Sequence, residues 1–182
     1  MSRLLILLLL AAILGAAERP ATWAQPVAAD GVHNLFRLTP GLYRCAQPDG
    51  PAMQQLEKMG IRTVINLRVL HNDHGELRGT ALLNEELSVQ PWHIEDEDVI
   101  RVLRLATDPA KAPVLIHCQH GSDRTGLMCA MYRIIVQGWS KTDAIQEMTD
   151  GGYGFWPGWT NIVRYINQVD APVIRAAVAA GR

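Results

Sequence analysis

Between Val114 and Gly126 the chain reads VLIHCQHGSDRTG: an apolar run, Cys118, five residues, Arg124, then Thr125-Gly126. A cysteine and an arginine joined by a loop of that length can serve one anion together. The thiolate is the nucleophilic form of cysteine, and a guanidinium presents a planar fork of donors matching two oxygens of a phosphate. If Gln119, His120, Gly121, Ser122 and Asp123 curl ahead of a helix beginning near Thr125, several backbone N–H groups converge on one anion at the helix N-terminus. Gly121 lets such a loop turn tightly. The same field brings the pKa of a cysteine facing it from about 8.5 into a range of roughly 3.5 to 7.5. The chemistry that fits is attack of sulfur on phosphorus, giving a cysteinyl-phosphate that water later hydrolyses, with no metal or other cofactor. Thr125 is placed to hydrogen-bond the sulfur and make it a better leaving group in the second step.

Such a loop needs a rigid frame. The continuous apolar run Val114–His117 suits a central parallel strand covered on both faces, and Leu127 to Val136, apolar almost all round, reads as a buried central helix. Upstream, NLFRLTPGLYRCAQP predicts two short strands split by the turn Pro40-Gly41. Pro51 opens a short helix ended by Gly60. TVINL is a β-branched strand, Arg68 to Gly79 a polar loop, and a short helix and a strand near Leu87 to Gln90 follow. EDEDVIRVLRLA places acids in its first turn and Val99, Ile100, Leu103 and Ala106 on one stripe, as an amphipathic helix should. SKTDAIQEM, with Ser140 as cap, and WTNIVRYINQV supply two more helices. Strands alternating with helices imply an α/β fold: a mostly parallel sheet between helical layers, with ligands bound beyond the carboxyl ends of the strands, where Cys118 stands.

HCQHGSDRTG resembles the signature loop of the cysteine-dependent protein tyrosine phosphatases, His-Cys-x5-Arg-Ser/Thr-Gly, and the short chain resembles their dual-specificity branch. The likeness runs from about Asn34 to Asp170, where LYRCAQP, GIRTVINLR and MYRIIVQGWSKTDAIQEM are similar to segments of small, signal-bearing bacterial phosphatases of that branch. It implies the three-layer fold of that family, Cys118 as nucleophile, Arg124 as phosphate-binding arginine, Thr125 as the hydroxyl beside it, and His117 as a residue that holds the loop and tunes the thiol. With Arg124 and Thr125, Gln119, His120, Gly121 and Ser122 form the substrate-binding loop. Relatives carry the general acid as an aspartate on a loop before the preceding helix. Here that region reads VQPWHIEDEDV, with Trp92 where close relatives place the acid. Asp96 is the first candidate and Asp123 the second, since other cysteine-dependent phosphatases with Asp just before the signature arginine use that carboxylate. Glu95 and Asp98 lie near, and for all the acids of this helix start, capping is a sufficient alternative reason.

Other readings are blander. His71, His74, His117 and His120 with Cys118 raise a zinc site, which we set aside because paired ligand spacings are missing and Arg124 would repel the cation. Arg68 faces the mouth or is an ordinary surface arginine. Tyr153, Phe155, Trp156 and Trp159 are read as packing between two helices rather than a substrate wall. Three cysteines leave an odd one, pointing away from a disulfide framework. Cys129 is a small core residue, and Cys45 is either a half-buried strand residue or the partner of Cys118 in a reversible disulfide.

At 182 residues and 48% hydrophobic composition the chain accommodates one ordinary core. Arg3, the apolar run Leu4 to Leu14 and the small residues to Ala17 read as a secretory signal peptide within residues 1–24, cleaved after Ala17 or Ala24. That run is too short for a stable membrane anchor. Residues 25–33 are read as a linker and 34–182 as the phosphatase domain, placed in the periplasm or secreted. The formal net charge of -1 offers no basic field for nucleic acid. A phosphorylated protein is the expected partner; oligomeric state is left open. Two alternatives stand beside the protein-tyrosine or dual-specificity phosphatase. One is a phosphoinositide or inositol polyphosphate phosphatase, weakened by the absence of Lys and Arg between Cys118 and Arg124. The other is a catalytically weak, phosphate-dependent binding module.

Overall fold

The computed structural model describes residues 18–181; the apolar run read as a signal peptide lies outside them. Six strands form one sheet in the order β1-β2-β3-β6-β4-β5. β1 (Gln25–Pro26), β2 (Phe36–Thr39) and β3 (Leu42–Cys45) are antiparallel neighbours, while β3, β6 (Val114–His117), β4 (Thr63–Asn66) and β5 (Leu83–Glu86) run parallel. β4 and β6 are buried at every position, in keeping with TVI and VLI as apolar or β-branched runs that end in the buried polar residues Asn66 and His117.

Alternation along these strands sorts the core into two clusters. Val64, Leu115 and Cys45 face α1 (Gly50–Lys58), which contributes Ala52, Met53 and Leu56. Leu42, Ile65, Val114 and Ile116 face the opposite layer, where α2 (Asp96–Ala106), α3 (Asp123–Ile135), α4 (Lys141–Asp150), α5 (Thr160–Gln168) and α6 (Ala171–Ala180) gather. α3 lies at the centre, with ten buried residues, as its all-round apolar composition requires. The three-layer α/β architecture is therefore the expected one.

Four details differ from the sequence reading. The segment 25–33 is no free linker: it carries β1, buries Val32, and follows a buried Ala24. Between Gly79 and Gln90 there is no helix; β5 forms at Leu83–Glu86 instead, because the edge of β4 offers a parallel register from Thr63↔Leu83 to Asn66↔Glu86. Helix α6 went unread, since APVIRAAVAA carries too few polar residues to show a period. α3 starts at Asp123, two residues before the expected point, so Asp123 and Arg124 belong to its first turn.

Register places the chemistry. Cys45, His117 and Asn66 lie side by side across β3, β6 and β4, at the carboxyl ends of the parallel strands. The loop from Cys118 to Ser122 therefore leaves the sheet at the edge where α/β proteins bind ligands.

Candidate active site

The loop between β6 and α3 is held from behind by its carbonyl groups. Gln119 O accepts from the Gln47 amide at 3.1 Å, His120 O from Asn34 Nδ2 at 2.9 Å, and Gly121 O from an Arg44 terminal nitrogen at 2.6 Å. Ser122 O accepts from the Gly126 amide at 2.7 Å. In a trans peptide the C=O of one residue and the N–H of the next point in opposite directions. Fixing these four carbonyls to the body therefore turns the N–H groups of His120, Gly121, Ser122 and Asp123 the other way, toward a common concavity.

Gly121 is essential to this geometry on two counts. Its φ is +70°, and a Cβ there would stand 2.4 Å from the Cys45 carbonyl oxygen and 2.6 Å from the Ala46 nitrogen. Ser122 sits at the N-cap of α3 without capping it; its hydroxyl donates instead to Asp123 Oδ2 at 3.1 Å. The helix start thus presents its amides and the positive end of its dipole to the concavity.

A cavity of about 310 Å³ opens over the loop, lined by Gln119, His120, Asp123, Arg124, Pro91, Trp156 and Trp159. Arg124 is oriented by a 3.1 Å bond to the carbonyl of Leu67, just beyond β4. Cys118 is 3% exposed at the base of the loop, and Thr125 Oγ1 is buried with no partner of its own.

His117, fully buried, contacts the Cys118 carbonyl at 3.3 Å through Nδ1 and Asp73 Oδ2 at 2.7 Å through Nε2. Asp73 passed unnoticed in the sequence, being one acid among many in a polar loop. Burial works to raise its carboxyl, but the hydrogen bond and charge of His117, the Gln47 amide at 2.8 Å and the charge of His71 prevail and hold it below the usual carboxylate range. His71 Nε2 lies 3.4 Å from Asp73 Oδ1 and 3.8 Å from Glu76 Oε1. Arg68 turns to Gln47 Oε1 at 3.0 Å, away from the cavity lining.

The candidate acids separate. Asp123 borders the cavity beside Arg124, with Oδ1 accepting from the Trp156 amide at 2.9 Å. Asp96 accepts from the Tyr165 hydroxyl at 2.8 Å, between α2 and α5, and Glu95 contacts His93 Nε2 at 3.0 Å. Asp98 has its carboxyl raised, chiefly by burial and then by the Glu95 charge, with Arg101 opposing. None of these three lines the cavity.

The aromatics read as packing in preference to a substrate wall divide in two. Tyr153 is buried against Arg44 and Phe36, as packing requires. Trp156, 60% exposed, and Trp159 form an edge-to-face pair at 5.6 Å that walls the cavity; this corrects the packing reading for Trp156, while Trp159 also packs against the core as expected. Gly158 makes this possible, since a Cβ there would strike the Trp156 ring at 2.4 Å. Cys129 lies in the core, its thiol pushed up to about 11 by burial. Burial first, then the Cys118 and Asp73 charges, also raise Cys45 well above the ordinary thiol value, with Arg44 opposing.

A family profile described as "DSP-PTPase phosphatase fused to NAD+ Kinase" matches residues 35–153. Over 188 aligned residues the chain is 37% identical to the dual specificity protein phosphatase TpbA of Pseudomonas aeruginosa, covering 96% of this chain and 85% of that protein. A crystal structure of P. aeruginosa TpbA superposes with a TM-score of 0.80 at 35% identity, covering 89% of this chain and 99% of the other. A cysteine-to-serine variant of TpbA in complex with phosphotyrosine matches with a TM-score of 0.79 at 34% identity, with the same coverage. The catalytic core of the PP-IP phosphatase SIW14 from S. cerevisiae shares the fold, with a TM-score of 0.73 at 19% identity over 85% of this chain and 96% of that one.

Proposed function

We propose, for a chain that belongs to the dual-specificity branch of the cysteine-dependent protein tyrosine phosphatases and is thereby a phosphoric monoester hydrolase, that it dephosphorylates phosphotyrosine, and also phosphoserine or phosphothreonine, in protein substrates. The observation that carries this reading is the row of loop carbonyls bound from behind, which leaves consecutive amides free to grip a phosphoryl group in front. The Trp156 and Trp159 wall suits an aromatic ester better than a highly charged inositol phosphate.

In the first step Cys118 Sγ attacks phosphorus, the bond to the ester oxygen breaks, and that oxygen leaves with a proton. The amides of the loop and the Arg124 guanidinium stabilise charge on the three equatorial oxygens. In the second step water attacks phosphorus, the S–P bond breaks, and its electron pair returns to sulfur, assisted by a hydrogen bond from Thr125 Oγ1. Asp123 is the proton carrier of this reading, because its carboxylate borders the cavity and that of Asp96 is engaged by Tyr165. The signal-like pattern from Arg3 to Ala17 supports a periplasmic or secreted enzyme.

Turnover of nitrophenyl phosphate in the presence of a chelator tests the reading. Activity in the parent protein, abolished in Cys118→Ser while phosphotyrosine still binds, is the expected result. An inactive parent, or a serine variant as active as the parent, overturns it.

A further inference from the structure

Arg44 is a guanidinium in an unusual position: on β3, 1% exposed, and directly behind the phosphate loop. One terminal nitrogen donates to Gly121 O at 2.6 Å and approaches Ser122 O at 3.5 Å. The guanidinium carbon lies 3.7 Å from the centre of the Tyr153 ring, while Nε has no partner. Among the described residues Arg44 makes no ion pair. The buried carboxylate of Glu147 is already taken by Arg133, the Ala24 amide and the Tyr153 hydroxyl. A buried cation without a counter-ion is costly. Such a cost is tolerable where an anion is to be held nearby.

We propose that Arg44 is a second arginine of the catalytic loop, a positioning residue that never touches substrate: it pins the Gly121 and Ser122 carbonyls to the rear and lends positive charge to sulfur and oxyanion from behind. This rests on the phosphatase reading and adds to it. A hydrogen bond to the back of a peptide group also polarises that group, so the forward N–H of Ser122 becomes a better donor. Arg124 supplies charge from the front and Arg44 from beneath, with the loop between them.

The effect is separable from folding because the readouts differ. The titratable and charged groups around the loop besides Arg44 are Cys45 from β3, Asp73 from the loop after β4, His117 from β6, and Asp123, Arg124 and Cys129 from α3; all remain in the variants. In Arg44→Met, alkylation of Cys118 by iodoacetate at pH 6 should slow about tenfold, and inhibition by inorganic phosphate should weaken by a similar factor. The acid limb of the kcat/KM profile should move to higher pH. Arg44→Lys keeps charge but not the fork, and should recover most of the alkylation rate while phosphate inhibition stays weak. Unchanged pH profiles and phosphate inhibition in Arg44→Met, even with a lowered Tm, overturn the proposal. So does a lysine variant no faster in alkylation than the methionine one. If Arg44→Met does not fold, Arg44→Lys decides: weak phosphate inhibition with near-parental alkylation supports the proposal, and parental behaviour in both overturns it. A parent without phosphatase activity would overturn the phosphatase reading, while the alkylation comparison would still judge Arg44.

Discussion

At Gly121 a left-handed backbone conformation and a close approach to the β3 chain coincide, so a single methyl group tests the loop. Gly121→Ala should lose at least ~2 kcal/mol of stability and more than about a hundredfold in kcat/KM, as the amides are driven out of alignment. Urea unfolding and turnover of nitrophenyl phosphate would show whether both fall together. The acid assignment is also a matter of single residues. Asp123 accepts from the Ser122 hydroxyl and the Trp156 amide, which hold its carboxylate at the edge of the cavity. Asp123→Asn should lower kcat about a hundredfold on an alkyl phosphate and much less on nitrophenyl phosphate, whose leaving group needs no proton; Asp96→Asn should leave both within about threefold. Equal losses of Asp123→Asn on both substrates would reject the assignment. Cys45 packs on the α1 side of the sheet, Cys118 on the other, and burial keeps the Cys45 thiol protonated. Peroxide treatment followed by non-reducing peptide mapping should therefore yield no Cys45–Cys118 linkage.

At the scale of elements, two connections carry the site. The turn between α4 and α5 projects Trp156 over the cavity and ties its backbone to the first turn of α3 through Asp123. Trp156→Ala should raise KM for aryl phosphates about five- to tenfold with little change for alkyl phosphates, the signature of a lost contact to the ring. The loop after β4 brings Asp73 under His117, locking β6 at the point where the catalytic loop leaves it. Because the Asp73 carboxyl is held below its ordinary value, its contribution to stability is fully present above about pH 4 and drains away as pH falls through the lowered folded value. Tm measured from pH 7 down to pH 3 should fall more steeply in the parent than in Asp73→Asn.

For the whole molecule, the folded unit reaches back before the strands that resemble the family. The Arg19 guanidinium donates to the carbonyls of Ala24 and Gly151, each at 2.6 Å, and contacts Tyr153 and the Phe36 ring. The Ala24 amide donates to Glu147 Oε1 at 2.6 Å. A chain beginning at residue 18 keeps these bonds; one beginning at residue 25 leaves Glu147 and Tyr153 short of partners in the interior. Thermal or urea unfolding should find the shorter chain less stable by at least ~2 kcal/mol, and equal stability would show that the segment merely rests on the surface.

The sequence by itself determined the local matters: VLIH as a central strand, the buried helix after it, the loop of five residues between Cys118 and Arg124, and Gly121 as its turning point. Each follows from residue types and spacings along a short stretch of chain, which steric and periodic rules read directly. What only the tertiary structure decided were the partners brought from afar. Arg44, Asn34 and Asp73 looked like ordinary strand and loop residues until the parallel register set β3 and β4 on either side of β6, and Trp156 looked like packing until α3 and the α4–α5 turn met at Asp123. Hydrogen bonds across such separations depend on how the sheet is ordered and how the helices cover it, and nothing in the neighbouring residues records that order.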